Sequence, residues 1–371
     1  HLHRGWKIMI LKELVVRNFR KLEAVDLYYD DKLNVFTGQN AQGKTNLLEA
    51  IYLLSGSRSF RGGSDADLIC FDFPGFFLSG EFEQEEKSNL RLACFWEGTQ
   101  LRKKAVRDGK AFRSSRALLG VVPMTVFSPD DLDLIKAGPA GRRDYCDVLL
   151  SALFPSYAAT LNRYQRIVSQ KNRLLRDGHV GEVDIFNIQQ ARFGASVTQS
   201  RRLLLERLLP FARQSFYEMA GQTEQLDIRY HSTVTEHFSD EKQLFSAFLK
   251  KLSENHQKEA LAGASLYGPH RDDLEITVNG KPARAFASQG QQRSAVLALL
   301  LARTALLHRH TGRAPLVLLD DVMSELDERR QQYLLEHIDA FQVFITCCQD
   351  SFGLHGRGSR FVVKNGQVFP A

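Results

Sequence analysis

Lys44 and Thr45 close the run Gly38-Gln39-Asn40-Ala41-Gln42-Gly43, and together these residues have the spacing G-x-x-x-x-G-K-T. That spacing suits phosphate chemistry. Consecutive backbone N–H groups can wrap an anion, and glycine at 38 and 43 lets the chain approach it closely. On this reading Lys44 reaches the β- and γ-phosphates of ATP, and Thr45 holds Mg2+ through its hydroxyl. A glycine-rich turn that only caps a helix is the plainer alternative. The context favours the phosphate loop: Leu33-Asn34-Val35-Phe36-Thr37 reads as a strand running into it, and Leu47, Leu48, Ile51 and Leu54 follow at helical spacing.

Such a loop needs an acid for the metal. Leu316-Val317-Leu318-Leu319 reads as a buried strand ending in Asp320-Asp321. Asp320 is expected to bind Mg2+, directly or through water, and Asp321 to orient the attacking water. Lys44, Asp320 and Asp321 are thus the candidate catalytic set. Alone, an apolar strand ending in a polar turn is common. Paired with the phosphate loop it carries weight.

A third motif, Ser288-Gln289-Gly290-Gln291-Gln292-Arg293, stands directly before a long apolar helix. A serine there caps free N–H groups, which is the plain reading. The sharper one is the signature of ABC-type ATPases, in which Ser288, Gln289, Gly290, Gln291 and the helix N-terminus meet a γ-phosphate held by a second subunit. Ser324-Glu325-Leu326-Asp327, after the acidic strand, then matches a D-loop, with Glu325 and Asp327 as its acids.

These motifs need elements to carry them. Ile8–Val16 and Leu22–Tyr29 read as strands, and residues 68–126 look β-rich, with an Asp108-Gly109 hairpin signal. From Pro139 to about Ala220 helical periodicity dominates, broken at Asp177-Gly178 and Pro210. The last third returns to α/β: strands at Leu274–Val278, Leu316–Leu319 and Val343–Ile345, and a helix over Gln291–Leu307. The expected fold is α/β: an ABC-type ATPase head, a mixed sheet with flanking helices formed by both chain ends, with an inserted, mainly helical lobe. The expected divisions are an upstream extension (1–8), the first half of the head (9–138), the helical lobe (139–258) and the second half of the head (259–371).

Bulk composition excludes several classes. Hydrophobic residues make up 43% and charged residues 25% of the 371, ordinary for a globular chain. No apolar run is long enough to span a membrane, and no secretory apolar region follows His1. Five cysteines (Cys70, Cys94, Cys146, Cys347, Cys348) without a C-x-x-C pair argue against a disulfide scaffold or zinc site and for a reducing cytosol.

The net charge of +6 points to a polyanionic partner. Arg91, Arg102, Lys103, Lys104, Arg107, Lys110, Arg113 and Arg116 face only Glu97 and Asp108 in their segment. Of these, Arg102, Lys103, Lys104, Arg107 and Lys110 are the candidate DNA contacts, with a solvated hairpin as the alternative. Aromatics do not stand out among them, which favours duplex backbone contact over base stacking.

Beyond these motifs, Leu14-Val15-Val16-Arg17-Asn18-Phe19-Arg20, Phe127-Ser128-Pro129-Asp130-Asp131-Leu132 and Gly268-Pro269-His270-Arg271-Asp272-Asp273-Leu274 resemble the RecF family of bacterial DNA-repair ATPases, relatives of SMC heads. The resemblance runs from Met9 to the C-terminus. It implies ATP-dependent homodimerisation, slow ATP hydrolysis, binding of duplex, gapped or junction DNA, and cooperation with RecR and RecO in loading RecA at gaps. By resemblance to related heads, Arg20 and Lys21 would lie near nucleotide, and His270 and Arg271 would either sense a ligand or form a structural turn. Several departures from the transporter pattern suit a slow switch. The signature begins Ser-Gln-Gly, Asp321 replaces a glutamate, and Cys347 stands where transporters place a histidine. A transporter-energising subunit and a non-hydrolysing ATP-bound adaptor are the competing functions.

Overall fold

The computed structural model describes residues 7–84, 86–238, 240–348 and 358–371. They fall into two compact units: residues 1–131 with 303–371, and residues 132–302.

The first unit contains two six-stranded sheets. One has the spatial order Gln367–Pro370, Ser359–Lys364, Leu33–Thr37, Val343–Cys347, Leu316–Asp320, Met124–Phe127. All its pairings are parallel except that of the first two strands. Strands covered on both faces read as unbroken apolar runs, and Leu316–Asp320 and Val343–Cys347 are buried at every position. The strand that feeds the phosphate loop therefore sits mid-sheet, held by two strands from the far end of the chain.

The other sheet is antiparallel, in the order Leu22–Tyr28, Ile10–Phe19, Gly75–Glu83, Lys87–Glu97, Gln100–Arg107, Lys110–Phe112. Its strands alternate, as one-sided burial requires. Leu11, Leu14, Val16, Leu78, Phe82, Leu90 and Leu92 point inward and are fully buried. They share one core with Phe36, Leu47, Leu48, Ile51, Leu316 and Phe344. The helix after the loop, Lys44–Leu53, is buried at nearly every position, so it is wedged between layers rather than lying on a surface.

Lys7–Ile8 pairs in parallel with Arg313–Ala314. Residues 7 and 8 of the expected 1–8 extension thus take part in strand pairing. Residues 1–6 lie outside the described residues.

The second unit is built on helices Pro139–Leu153, Pro155–Arg176, Val183–Met219 and Glu241–Glu254. Pro210 does not break the third of them. A proline removes one N–H and crowds the preceding turn, yet Leu204, Leu205, Leu208, Ala212 and Phe216 are buried on either side of it, and their packing carries the helix through. The unit also extends past 258. Leu226–His231 pairs antiparallel along its whole length with Asp273–Val278, which ties the later segment to the helices. Ser288–Gln291 consequently lies in this unit, whereas the phosphate loop lies in the first. Helix Gln289–Thr311 starts in one unit and ends in the other.

Candidate nucleotide site

The phosphate loop turns as its glycines allow. Gly38 has φ +151°, and a Cβ there would lie 2.4 Å from the Val363 carbonyl oxygen. No other residue fits. Ala41 also takes a left-handed φ of 63°. Lys44 is buried, and its ammonium donates to the carbonyls of Gly38 and Gln39, folded back over the loop. That is a cation held where phosphate oxygens would replace carbonyl oxygens.

Thr45 Oγ1 donates to Asp320 Oδ1 at 2.8 Å. Thr346 Oγ1, on the neighbouring strand, donates to the same oxygen at 2.9 Å and accepts from the Asp321 N–H at 2.9 Å. Among the described residues, Asp320 meets two hydroxyls and no ammonium or guanidinium within ion-pair distance, and the more distant Arg61 charge helps hold its pKa down. Burial pushes its pKa up, the Thr45 and Thr346 hydroxyls pull it down, and nearby Asp321 raises it. Asp321 is also raised by burial, against the opposing charge of Lys44. It has a left-handed backbone, φ 52°. A buried carboxylate beside a threonine hydroxyl, with no ion-pair partner among the described residues, is the donor set a divalent ion would complete. Among the described residues no group of three or more His, Cys, Asp and Glu side chains could hold a metal alone, so any ion here would share its ligands with phosphate.

Two turns brace the loop from outside. Lys21 Nζ donates to the Ala41 carbonyl at 3.0 Å. The Asn365 and Gly366 N–H groups donate to the Gln42 side-chain and backbone oxygens at 2.6 and 3.0 Å. Arg20 instead forks onto Glu49, which is fully buried on the loop helix; the two bonds are 2.8 and 3.1 Å. Ser59 also donates to Glu49. Beyond the acidic strand, Cys347 is buried, and burial pushes its thiol up to about 11. The thiol that meets the loop is Cys348: its Sγ donates to Asn40 Oδ1 at 2.9 Å and lies 3.9 Å from Lys44 Nζ. Strand alternation explains this, because Cys348 shares a face with Thr346. Thr346, Glu49, Cys348 and the Asn365-Gly366 turn all escaped the sequence reading.

The signature serine does cap its helix. Ser288 Oγ accepts from the Gln291 N–H at 3.2 Å, and Gln291 Oε1 accepts from the Ser288 N–H at 2.8 Å. Ser288 and Gln289 remain exposed, so the helix end is presented to solvent with one hydroxyl proton to donate. Asp327 caps helix Glu328–Ile338 through the Arg330 N–H at 3.0 Å and pairs with the Arg330 side chain. Glu325 raises the pKa of Asp321.

Within the second unit, the motif around His270 forms a polar core. His270 Nδ1 meets the Tyr164 hydroxyl at 2.6 Å and Nε2 meets the Ser265 carbonyl at 3.1 Å. The Ser265 carbonyl can only accept, so Nε2 donates, and Nδ1 accepts from Tyr164 when the ring is neutral. Burial pushes its pKa down to about 4. Asp272 accepts from Tyr230 at 2.7 Å and from the Thr233 N–H and hydroxyl at 2.7 and 2.8 Å. Arg201 forks onto Asp147 and donates to the Pro269 carbonyl. These contacts are those of a structural turn.

The five candidate DNA contacts do not share one face. Arg102, exposed, pairs with Glu97; Lys104 is exposed on the same side. Lys103 alternates inward onto Asp65 at 2.7 Å. Arg107 lies 3.6 Å from Asp108, and Lys110 lies 5.6 Å from the Phe112 ring centre.

A mid-sheet phosphate loop, a carboxylate strand beside it and a mixed sheet drawn from both ends of the chain define a P-loop head of the ABC and SMC class. The model of the RecF/RecN/SMC N terminal domain family matches residues 10–357. The DNA replication and repair protein RecF of Ruminiclostridium cellulolyticum is 34% identical over 369 residues, covering 97% of this chain and 99% of its own. That of Microcystis aeruginosa is 36% identical, covering 97% and 100%. A solved recombination mediator protein RecF-ATP of the RecFOR pathway superposes with a TM-score of 0.90 at 33% identity, covering all of both chains. An SMC head bound to the C-winged helix domain of ScpA superposes at 0.56 with 14% identity, over 98% of this chain and 97% of its own, a likeness of fold alone. The chain belongs to the RecF family.

Proposed function

We propose that this protein is an ATP-gated DNA clamp of recombinational repair, active as a homodimer and hydrolysing ATP slowly. The observation that carries the reading is the Thr45–Asp320 contact at the foot of the phosphate loop. Mg2+ would supply positive charge to offset that of the phosphates there. Thr45 and Asp320 would hold that ion, directly or through water. Lys44 would exchange the Gly38 and Gln39 carbonyls for phosphate, and loop N–H groups from 38 to 45 would wrap it.

Asp321 would orient the attacking water. Its short side chain, its left-handed backbone and a thiol rather than an imidazole at Cys348 leave the water loosely placed, which suits a slow switch. The exposed Ser288 end of its helix would cap the γ-phosphate held by a second copy, with Gln289, Gly290 and Gln291 forming that helix end and Glu325 and Asp327 following the acidic strand. Closure would bring Arg102 and Lys104 of both copies toward DNA. Relatives of RecFOR mediator type support cooperation with RecR and RecO in loading RecA at gapped DNA.

Gel filtration with ATP tests the composite site. Wild type is expected to dimerise, whereas Lys44→Arg and Ser288→Arg stay monomeric with unchanged circular dichroism. An ATP-dependent dimer of the Ser288 variant would sink the reading.

A further inference from the structure

The side-chain amide of Gln291 is engaged at both ends. Its Oε1 accepts from the Ser288 N–H at 2.8 Å, and its Nε2 donates to Glu224 Oε1 at 2.6 Å. One orientation of the amide satisfies both contacts, because the N–H requires an acceptor and the carboxylate a donor. Turning the amide over would face oxygen to carboxylate and lose both bonds. Glu224 therefore fixes the Gln291 side chain, and Gln291 fixes Ser288 through the reciprocal cap.

Glu224 stands between helix Val183–Met219 and strand Leu226–His231, in a turn braced on both sides. Gly221 and Gln222 have left-handed φ values of 68° and 65°. Their N–H groups donate to the Glu218 and Tyr217 carbonyls at 3.2 and 2.8 Å and end the helix. Thr223 Oγ1 donates to the Ala220 carbonyl at 2.8 Å, and the Gln225 N–H donates to Asn279 Oδ1 at 2.8 Å. The backbone at Glu224 is thus set by its neighbours, whereas among the described residues its carboxylate bonds to Gln291 alone. Nor does the side chain fill a core: it is partly exposed and lines a cavity with Arg213, Tyr217 and Pro282. Its consequence falls on the signature.

We propose that Glu224 is a positioning residue of the signature half-site, holding Gln291, and through it Ser288, in the orientation that meets the γ-phosphate of a second copy. The inference rests on the composite-site reading above. Donors already in place need no reorganisation at the moment of contact. Without Glu224 the Gln291 amide is free to turn, and the cap on Ser288 loosens with it. A hydrogen bond to a charged group counts for about tenfold or more in an equilibrium constant, and a closed dimer holds two such sites. Repulsion would act the other way, since a carboxylate beside a helix N-terminus competes with phosphate for the same dipole. Glu224→Gln separates the two effects: it keeps an acceptor for Gln291 Nε2 and removes the charge.

Sedimentation velocity of the full chain, with magnesium and a slowly hydrolysed ATP analogue, reads the dimer dissociation constant. Glu224→Ala is expected to raise it at least about tenfold, and Glu224→Gln to recover most of that loss. Glu224→Asp, which withdraws the carboxylate by one carbon, should weaken pairing too, and it carries the test if the alanine variant does not fold. Binding of a fluorescent ATP analogue to the phosphate loop, measured in the Ser288→Arg background, should be the same with and without Glu224→Ala. A general loosening of the fold would weaken nucleotide binding as well. An unchanged or lowered dimer constant in Glu224→Ala, or a Glu224→Gln that pairs no better than the alanine variant, overturns the inference. Ser288→Arg then locates the fault. If it stays monomeric, the composite site stands without Glu224; if it pairs as wild type does, both readings fall.

Discussion

Thr45 Oγ1 and Asp320 Oδ1 meet at 2.8 Å across 275 positions of sequence, joining the end of the phosphate loop to the end of the acidic strand. Because burial raises the Asp320 pKa, the nucleotide-free fold holds a proton on this acid more readily than the unfolded chain does. The associated stability is complete below the ordinary aspartate value and lost as pH rises through the raised one. A divalent ion reverses that preference by favouring the carboxylate. The rise in melting temperature on adding magnesium to a slowly hydrolysed ATP analogue should therefore be larger at pH 7.5 than at pH 5. In Asp320→Asn that pH dependence should vanish, and phosphate release should fall on the order of a hundredfold. Equal magnesium shifts at both pH values in wild type would refute the assignment.

Arg20 and Glu49 form a forked ion pair with the carboxylate fully buried and the guanidinium 21% exposed. Removing one partner strands the other charge, at a cost of roughly 3–5 kcal/mol. Arg20→Ala should lower the urea midpoint of the unfolding transition accordingly, while the paired change Arg20→Met with Glu49→Leu should recover much of the loss. A cost below about 1 kcal/mol for Arg20→Ala would show the pair to be no anchor of the loop helix.

His270 is neutral and wedged between Tyr164 and Ser265, with its pKa pushed down to about 4. A depressed folded pKa leaves the neutral ring's stability intact above the ordinary histidine value and removes it as pH falls toward 4. Between pH 6.5 and 4 this single group should withdraw about 3 kcal/mol. His270→Gln, which cannot take up that proton, should flatten this part of the stability profile in urea titrations at stepped pH. An unchanged slope would mean that other groups dominate acid lability.

The phosphate loop and Asp320 were legible because each is a local pattern with its own flanking elements. What surrounds them was not. Thr346, Asn365 and Gly366 act through contacts to residues far away in the chain, and nothing in their own neighbourhoods marks them. Cys347 was singled out by position, yet strand alternation turns it inward and leaves Cys348 at the loop. Alternation likewise divides the basic run, sending Lys103 onto Asp65 while Arg102 and Lys104 face out. Phe95 lies within the basic run in sequence, but only the register reveals that it stands beside Arg102. At Pro210 the local helix-breaking preference was overridden by the buried residues on either side.

The strand Leu33–Thr37 gains both its sheet neighbours from residues 343–347 and 359–364. On a ribosome making 5–20 residues each second, it emerges roughly 15–60 s before either neighbour exists. During that interval an apolar strand and its glycine loop have no sheet to join, a hazard for self-association. The nucleotide pocket can therefore form only once these late strands are available, so the last steps of synthesis, and any chaperone acting then, govern how much active protein a cell obtains.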